Sequence, residues 1–254
     1  MIKQMDINCD MGEAFGQWKI SDVDDKEIMP YISSANIATG FHAGDPNHMN
    51  RIVQLAKQFD VKVGAHPGYR DFQGFGRRKI LASSQELVND IVYQIGALRE
   101  FCNLYNVPLN HVKPHGALYM EMAVNKELAE SFINVMQQIG LNIPVYCMGI
   151  SETYKAAKKI GHPVVREFYA DRDYGDNGSI VFTRHGEKAD AEKIKEKVLR
   201  ACIENKVVTV TGNIIDIEFE SVCFHSDTPG SLEIASELKK GLKENNIKLE
   251  AFNL

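Results

Sequence analysis

Four histidines, His42, His66, His115 and His225, each stand at the end of an apolar run, and so do Asn8, Asp10, Lys113, Glu167, Arg172 and Asp227. Gathered at one place, such a set binds, protonates and deprotonates a polar substrate. Imidazole carries protons near neutral pH, and a carboxylate beside it fixes its tautomer and raises its basicity. Any one of these histidines is as readily a hydrogen-bonded core or rim residue. Four at four strand ends are harder to explain that way.

Spacing sharpens the set. Lys113 and His115 are two positions apart around Pro114, so strand alternation aims both to one side, the lumen if the strands close into a barrel. Lys113 then acts as an anchoring cation or an activated amine, and a salt bridge to Asp10 or Glu167 is compatible with either. Glu167 shares a face with Val165, which turns Arg166 toward the helices, where it needs a partner. Asp10, His42 and His66 suit a divalent metal, one carboxylate and two imidazoles with positions open for water. No two of them share a helix turn, so a hydrogen-bonded acid/base cluster without metal is the preferred reading. The loop RDFQGFGRR (70–78) couples two glycines with Arg77 and Arg78, either as a lid whose arginines meet a carboxylate or phosphate or as an ordinary surface loop. ADRDYGDNGS (170–179) lacks the closing glutamate of a calcium loop.

The positioning elements read as strands at 5–8, 35–38, 61–65, 108–113, 143–148, 163–167 and 221–224. They alternate with helical patterns at 25–32, 46–59, 84–102, 128–139, 151–160, 189–205 and 230–243, the last closing the chain. Asp45-Pro46 is a helix start, and Ser83 to Glu86 has the form of a capping box. A Gly212-Asn213 turn marks a small hairpin near 207–219. Alternating strands and helices imply parallel strands. Polar residues follow nearly every strand, whereas an open sheet concentrates them at one switch point. The expected architecture is α/β: an irregular, seven-stranded (β/α) barrel in a single domain, 1–254.

With 254 residues, 44% apolar and 25% charged, and a net charge of −5 without a basic cluster, the chain is ordinary globular material. Nucleic acid and membrane are not the expected partners; small molecules are. The start, MIKQMDINCD, lacks the apolar core of a signal peptide, and the expected location is the cytoplasm. Five scattered cysteines contain no C-x-x-C pair, so buried thiols are expected rather than disulfides or structural zinc. Dinucleotide and phosphate-loop signatures are absent.

Six motifs in order, DINCDMGEAFG, ANIATGFHAGDP, GAHPGYRDFQGFGRR, VKPHGALY, EFYADRDY and FHSDTPG, resemble the LamB/YcsF family over essentially the whole chain. Thr39 departs from the cysteine common there, and Ser226 from a glycine. The resemblance implies a barrel of the glycoside hydrolase/deacetylase type and a role as the A subunit of an ATP-dependent 5-oxoprolinase. That enzyme opens the lactam of 5-oxo-L-proline to L-glutamate with hydrolysis of ATP, as its Mg2+ complex, to ADP and phosphate. It implies partner subunits B and C, and a homo-oligomer is compatible. On that footing Asp10, His66, Lys113, His115, Glu167, His225 and Asp227 are catalytic candidates, and Asn8, His42, Arg77 and Arg172 substrate-binding candidates. A stand-alone metal-dependent deacetylase or amidohydrolase, and a non-catalytic carbohydrate-binding or regulatory protein, are the alternatives.

Overall fold

The computed structural model describes residues 4–181 and 188–252. Seven parallel strands, β1 (Gln4–Met11), β2 (Ser34–Ala38), β3 (Lys62–His66), β4 (Leu109–Val112), β5 (Val145–Cys147), β6 (Val164–Tyr169) and β7 (Ser221–His225), pair in chain order. β7 then pairs back onto β1, with Asp10 opposite His225 on one side and opposite Asn36 on the other. The expected seven-stranded barrel is therefore closed.

Alternation decides which side chains enter the lumen. In β1, Met5, Ile7, Cys9 and Met11 join the apolar layer beneath the helices, while Asp6, Asn8 and Asp10 turn inward. The same parity places Ser34 and Asn36, His66, His111 and Lys113, Tyr146, Glu167 and Tyr169, and Ser221, Cys223 and His225 inside. Apolar Val63, Val112, Val145, Phe168, Val222 and Phe224 face out. The hydrophobic core is thus the layer between strands and helices, and the lumen is polar.

Below the mouth that lumen is stitched by hydrogen bonds. Asp6 accepts from the hydroxyls of Ser33, Ser34, Tyr146 and Ser221. Asn36 donates to Asn8 and Asp10, and His111 donates from Nε2 to the Asn36 side-chain oxygen at 2.7 Å. Satisfied networks of this kind are tolerated in low dielectric, whereas a half-satisfied one is not. Gly64 makes room for it: a Cβ there would lie 2.0 Å from the His111 ring.

The helices are α1 (Pro46–Phe59), α2 (Ser84–Tyr105), α3 (Gly116–Val124), α4 (Lys126–Gln138), α5 (Glu152–Ile160), α6 (Ala191–Glu204) and α7 (Ser231–Glu244). Asp45 caps α1 by accepting from the amides of Asn47 and His48, and the Ser83–Glu86 capping box opens α2. α3 was not expected from the sequence, because its apolar residues show no one-sided stripe. The helix expected over 25–32 ends early: an α-helical turn, Asp25–Ile28, passes into a 3-10 turn, Met29–Tyr31, where Pro30 has no amide to continue the ladder.

Strands Lys206–Val208 and Ile214–Asp216 form the expected hairpin. Its loop is five residues, 209–213, rather than a two-residue turn, closed by the Thr209 amide on the Asn213 carbonyl. Nor does α7 close the chain, since Lys248–Leu249 adds a short parallel strand beside Gln4 and Met5. All five cysteines are free and buried. No helix among the described residues is long and apolar enough to cross a membrane.

Candidate active site at the barrel mouth

Lys113 extends from the end of β4 into the lumen and is 1% exposed. Its ammonium donates to Asp10 Oδ1 at 3.0 Å and Asn8 Oδ1 at 3.2 Å. It lies 3.4 Å from Glu167 Oε1 and 2.9 Å from Cys223 Sγ. Burial would strip its proton, but Asp10, Cys223 and Glu167 hold its pKa well above the usual lysine value. It is a fixed cation, and the activated-amine reading is set aside. Asn8 donates to Glu167 Oε1 and Ser221, so it steadies this ion pair from beneath. Burial raises the Glu167 pKa despite Lys113, and its second oxygen is buried without a partner among the described residues.

Above Lys113 sit three imidazoles whose protons are placed by oxygen acceptors. His66 Nδ1 is 2.7 Å from the Lys113 carbonyl and His115 Nε2 is 2.8 Å from the Phe75 carbonyl. A carbonyl only accepts, so both nitrogens carry hydrogen. The remaining nitrogens, His66 Nε2 and His115 Nδ1, face each other at 2.9 Å. Asp10 Oδ2 lies 3.2 Å from the first, and Glu13 Oε1 lies 3.2 Å from the second and 3.8 Å from the first. Burial opposes ionisation of Asp10, yet His66 and Lys113 hold its carboxyl well below the usual range; Glu13 is likewise held low by His115 and His42.

The third imidazole is His225, whose Nδ1 is 3.0 Å from both oxygens of Asp171 and whose Nε2 points toward Asp10 Oδ2 at 3.7 Å. Asp171 also accepts from Thr228 and Arg172. His225 draws its pKa down against burial. Asp171 is therefore the carboxylate that orients His225. Asp227 instead pairs with Arg77 at the rim.

His42 lies behind this group. Its ring stacks on His115 with centroids 3.7 Å apart, its Nε2 is 3.2 Å from Glu13, and its Nδ1 is buried without a partner among the described residues. Burial first, then His115, lowers its pKa to about 3, so it is neutral. The loop 70–78 is pinned rather than loose: Asp71 holds Arg78 and the Gly74 amide, and Arg77 lies over the Phe75 ring. Gly76, at φ +61°, lets the loop press on the histidines, since a Cβ there would lie 2.7 Å from both His42 and His115. Arg166 faces outward and finds its partners in Glu218 and Glu220.

One pocket unites Asp10, His66, Lys113, His115 and His225, with Arg77, Arg172, Tyr119 and Tyr169 around them. Asn8, His42 and Glu167 do not line it, and Asp227 reaches it only through Arg77. Of the three metal candidates read from the sequence, Asp10 and His66 touch, and His42 reaches the others through Glu13. A metal-compatible group among the described residues is Glu13, His42, His66 and His115, with donor atoms within 4.8 Å of one another.

The model of the LamB/YcsF family matches residues 5–254. A Pseudomonas aeruginosa protein that carries the name of a 5-oxoprolinase A subunit is 53% identical over 248 residues, 98% of each chain. A protein of the same name from Pseudomonas putida is 51% identical over 250 residues, covering 98% of this chain and 99% of that one. The crystal structure of a lactam utilization protein from Thermus thermophilus superposes with a TM-score of 0.90 at 34% identity, covering 98% of this chain and 100% of that one.

Proposed function

The chain belongs to the LamB/YcsF family, and from that membership we propose that it is the A subunit of a 5-oxoprolinase, opening the lactam of 5-oxo-L-proline to L-glutamate. The observation that carries the reading is the pocket itself, where a fixed ammonium, the ionised Asp10 carboxylate and three imidazoles of defined tautomer meet. A lactam is a poor electrophile, and its hydrolysis needs an activated carbonyl, a positioned water and a proton for the departing ring nitrogen.

Each requirement has a group to meet it. His225, steered by Asp171, takes the proton from water. The same imidazole then gives that proton to the departing ring nitrogen, with His66 and His115 lining the pocket beside the reacting carbonyl. Lys113 and Asp10 set the field beneath the reacting carbon, with Glu167 behind them. Arg77 or Arg172 receives the substrate carboxylate or a transferring phosphate. Coupling to ATP, as its Mg2+ complex, supplies the activation by phosphorylating the lactam oxygen, and subunits B and C complete the enzyme in the cytoplasm.

The test supplies 5-oxoproline and ATP, separately and together, to the chain alone and to the chain with its partner subunits, and measures glutamate. Turnover only with partners, ATP and 5-oxoproline together is expected; its loss in His225→Asn would follow. Turnover by the chain alone without ATP would replace this reading with a stand-alone metal-dependent amidohydrolase, which the Glu13, His42, His66 and His115 cluster favours. No turnover in any combination would sink both.

A further inference from the structure

We infer that Asp10, Glu13, His66 and His115 form the binding site of one divalent transition-metal cation of the zinc class. It shares the pocket of the proposed reaction and adds to that reading a ligand set that can be tested without turnover. Three observations carry it independently.

The first is a conflict of lone pairs. With His66 Nδ1–H and His115 Nε2–H both committed to backbone carbonyls, the two nitrogens left at 2.9 Å from each other are both acceptors. Two acceptors and two carboxylate oxygens pointed at one spot favour a positive centre there, and a proton joins only two of them where an ion would join all four. Imidazoles that bind metal donate their other N–H to an oxygen in just this manner, which fixes the ring and raises the basicity of the ligating nitrogen.

The second is spacing. Four of the six separations between the donor atoms, His66–His115, Asp10–His66, Glu13–His115 and Glu13–His66, are 2.9, 3.2, 3.2 and 3.8 Å. A tetrahedron with bonds of about 2.0–2.2 Å has edges of about 3.3–3.6 Å, so small side-chain adjustments admit an ion at the centre. The third is charge. Asp10, Glu13 and Glu167 are all buried, and Lys113 touches Asp10 and Glu167, whereas the partners of Glu13 among the described residues are the imidazoles of His42, His66 and His115. A divalent ion supplies the positive charge that Glu13 lacks, and a buried carboxylate left unbalanced is costly.

His42 is excluded from the ligands on geometry although its Nε2 lies among the donor atoms. Its ring is parallel to His115 within 6° at 3.7 Å, so no point lies in both ring planes and one ion cannot meet both nitrogens along their lone pairs. Its place is to hold Glu13 from outside. Because Asp10, His66 and His115 line the pocket, an ion there would polarise the substrate carbonyl or acidify a bound water.

The test uses the full chain, stripped by chelator and titrated with Co2+ or Zn2+ alone. Calorimetry is expected to give one ion per chain, and Co2+ the visible absorption of a tetrahedral nitrogen–oxygen site. Glu13→Gln and His115→Ala should abolish that spectrum, weakening binding beyond the roughly 10–100-fold that an outer partner costs. His42→Asn should keep both stoichiometry and spectrum. Circular dichroism checks that each variant folds; should one not fold, the stoichiometry and spectrum of the unaltered chain still decide. No ion bound, an unchanged affinity in Glu13→Gln, or loss of the spectrum in His42→Asn overturns the proposal. A chain that binds no metal yet makes glutamate with its partners would remove this site and leave the 5-oxoprolinase reading intact; bound metal with no turnover would do the reverse.

Discussion

Lys113 is the residue on which the site's electrostatics rest, because its ammonium is the permanent cation that neutralises the buried carboxylates Asp10 and Glu167. Lys113→Met should lower the unfolding free energy by about 3–5 kcal/mol in urea titration, as expected when one partner of a buried ion pair is removed. Adding Glu167→Gln should return part of that loss; a loss under about 1 kcal/mol would mean the carboxylates find other neutralisation. A second residue-scale effect follows from His111, buried beneath Lys113. Burial, then the Lys113 charge, lowers its pKa from 6.5 to about 3. Above pH 6.5 neither the folded nor the unfolded form takes the proton, and there is no effect. Below it the unfolded chain is protonated while folded His111 resists until about pH 3, so stability falls across that window. Denaturation at pH 7.5 and pH 5 should show a shallower acid loss in His111→Asn than in the unaltered chain.

Most of the site's residues were legible because strand alternation is a strict rule. Asn8 and Asp10, Lys113 and His115, Glu167 and His225 all fall on the side it assigns. His111 obeys the same parity as Lys113 and was open to the same reasoning. Glu13 and Asp171 were not, since each lies in a loop past the end of its strand, where alternation ceases. Gly12, at φ +69°, turns the chain so that Glu13 comes back over the mouth. Only their places in the motifs DINCDMGE and ADRDY hinted at them.

Among the elements, β3 shows how closely backbone and lumen are fitted. Gly64 lies on its inner face against His111, so Gly64→Ala forces a ring or a strand to move and should cost about 1–3 kcal/mol. Thermal unfolding of Gly64→Ala alone and in combination with His111→Ala tests this, for the second change should cancel much of the first if the clash is the cause. The main strands and most helices were evident from apolar periodicity, and their ends shifted by a few residues. What escaped were α3, the strand Lys248–Leu249, and the hairpins pairing Ala14–Phe15 with Trp18–Lys19 and Asp173–Tyr174 with Ile180–Val181. Two-residue strands are too short to carry a period, and their pairing is decided by distant contacts.

At the scale of the molecule, closure of the barrel joins the first strand to the last. Chain ends meet there as well, since Lys248–Leu249 lies along Gln4 and Met5 and the Glu250 amide donates to the Met5 carbonyl at 3.0 Å. Truncation after residue 246 should lower the melting temperature and speed amide exchange at the start of β1, while leaving exchange in β4 and β5 unchanged. Equal acceleration in all strands would indicate that the tail supports the barrel as a whole.

The polar lattice inside the barrel also constrains how such a chain can drift. Asn36 touches Asn8, Asp10 and His111 at once, so no substitute for it satisfies all three partners. Lineages that lose this asparagine should therefore have changed His111 or Asn8 as well, whereas the oily layer outside the strands is free to exchange one aliphatic for another.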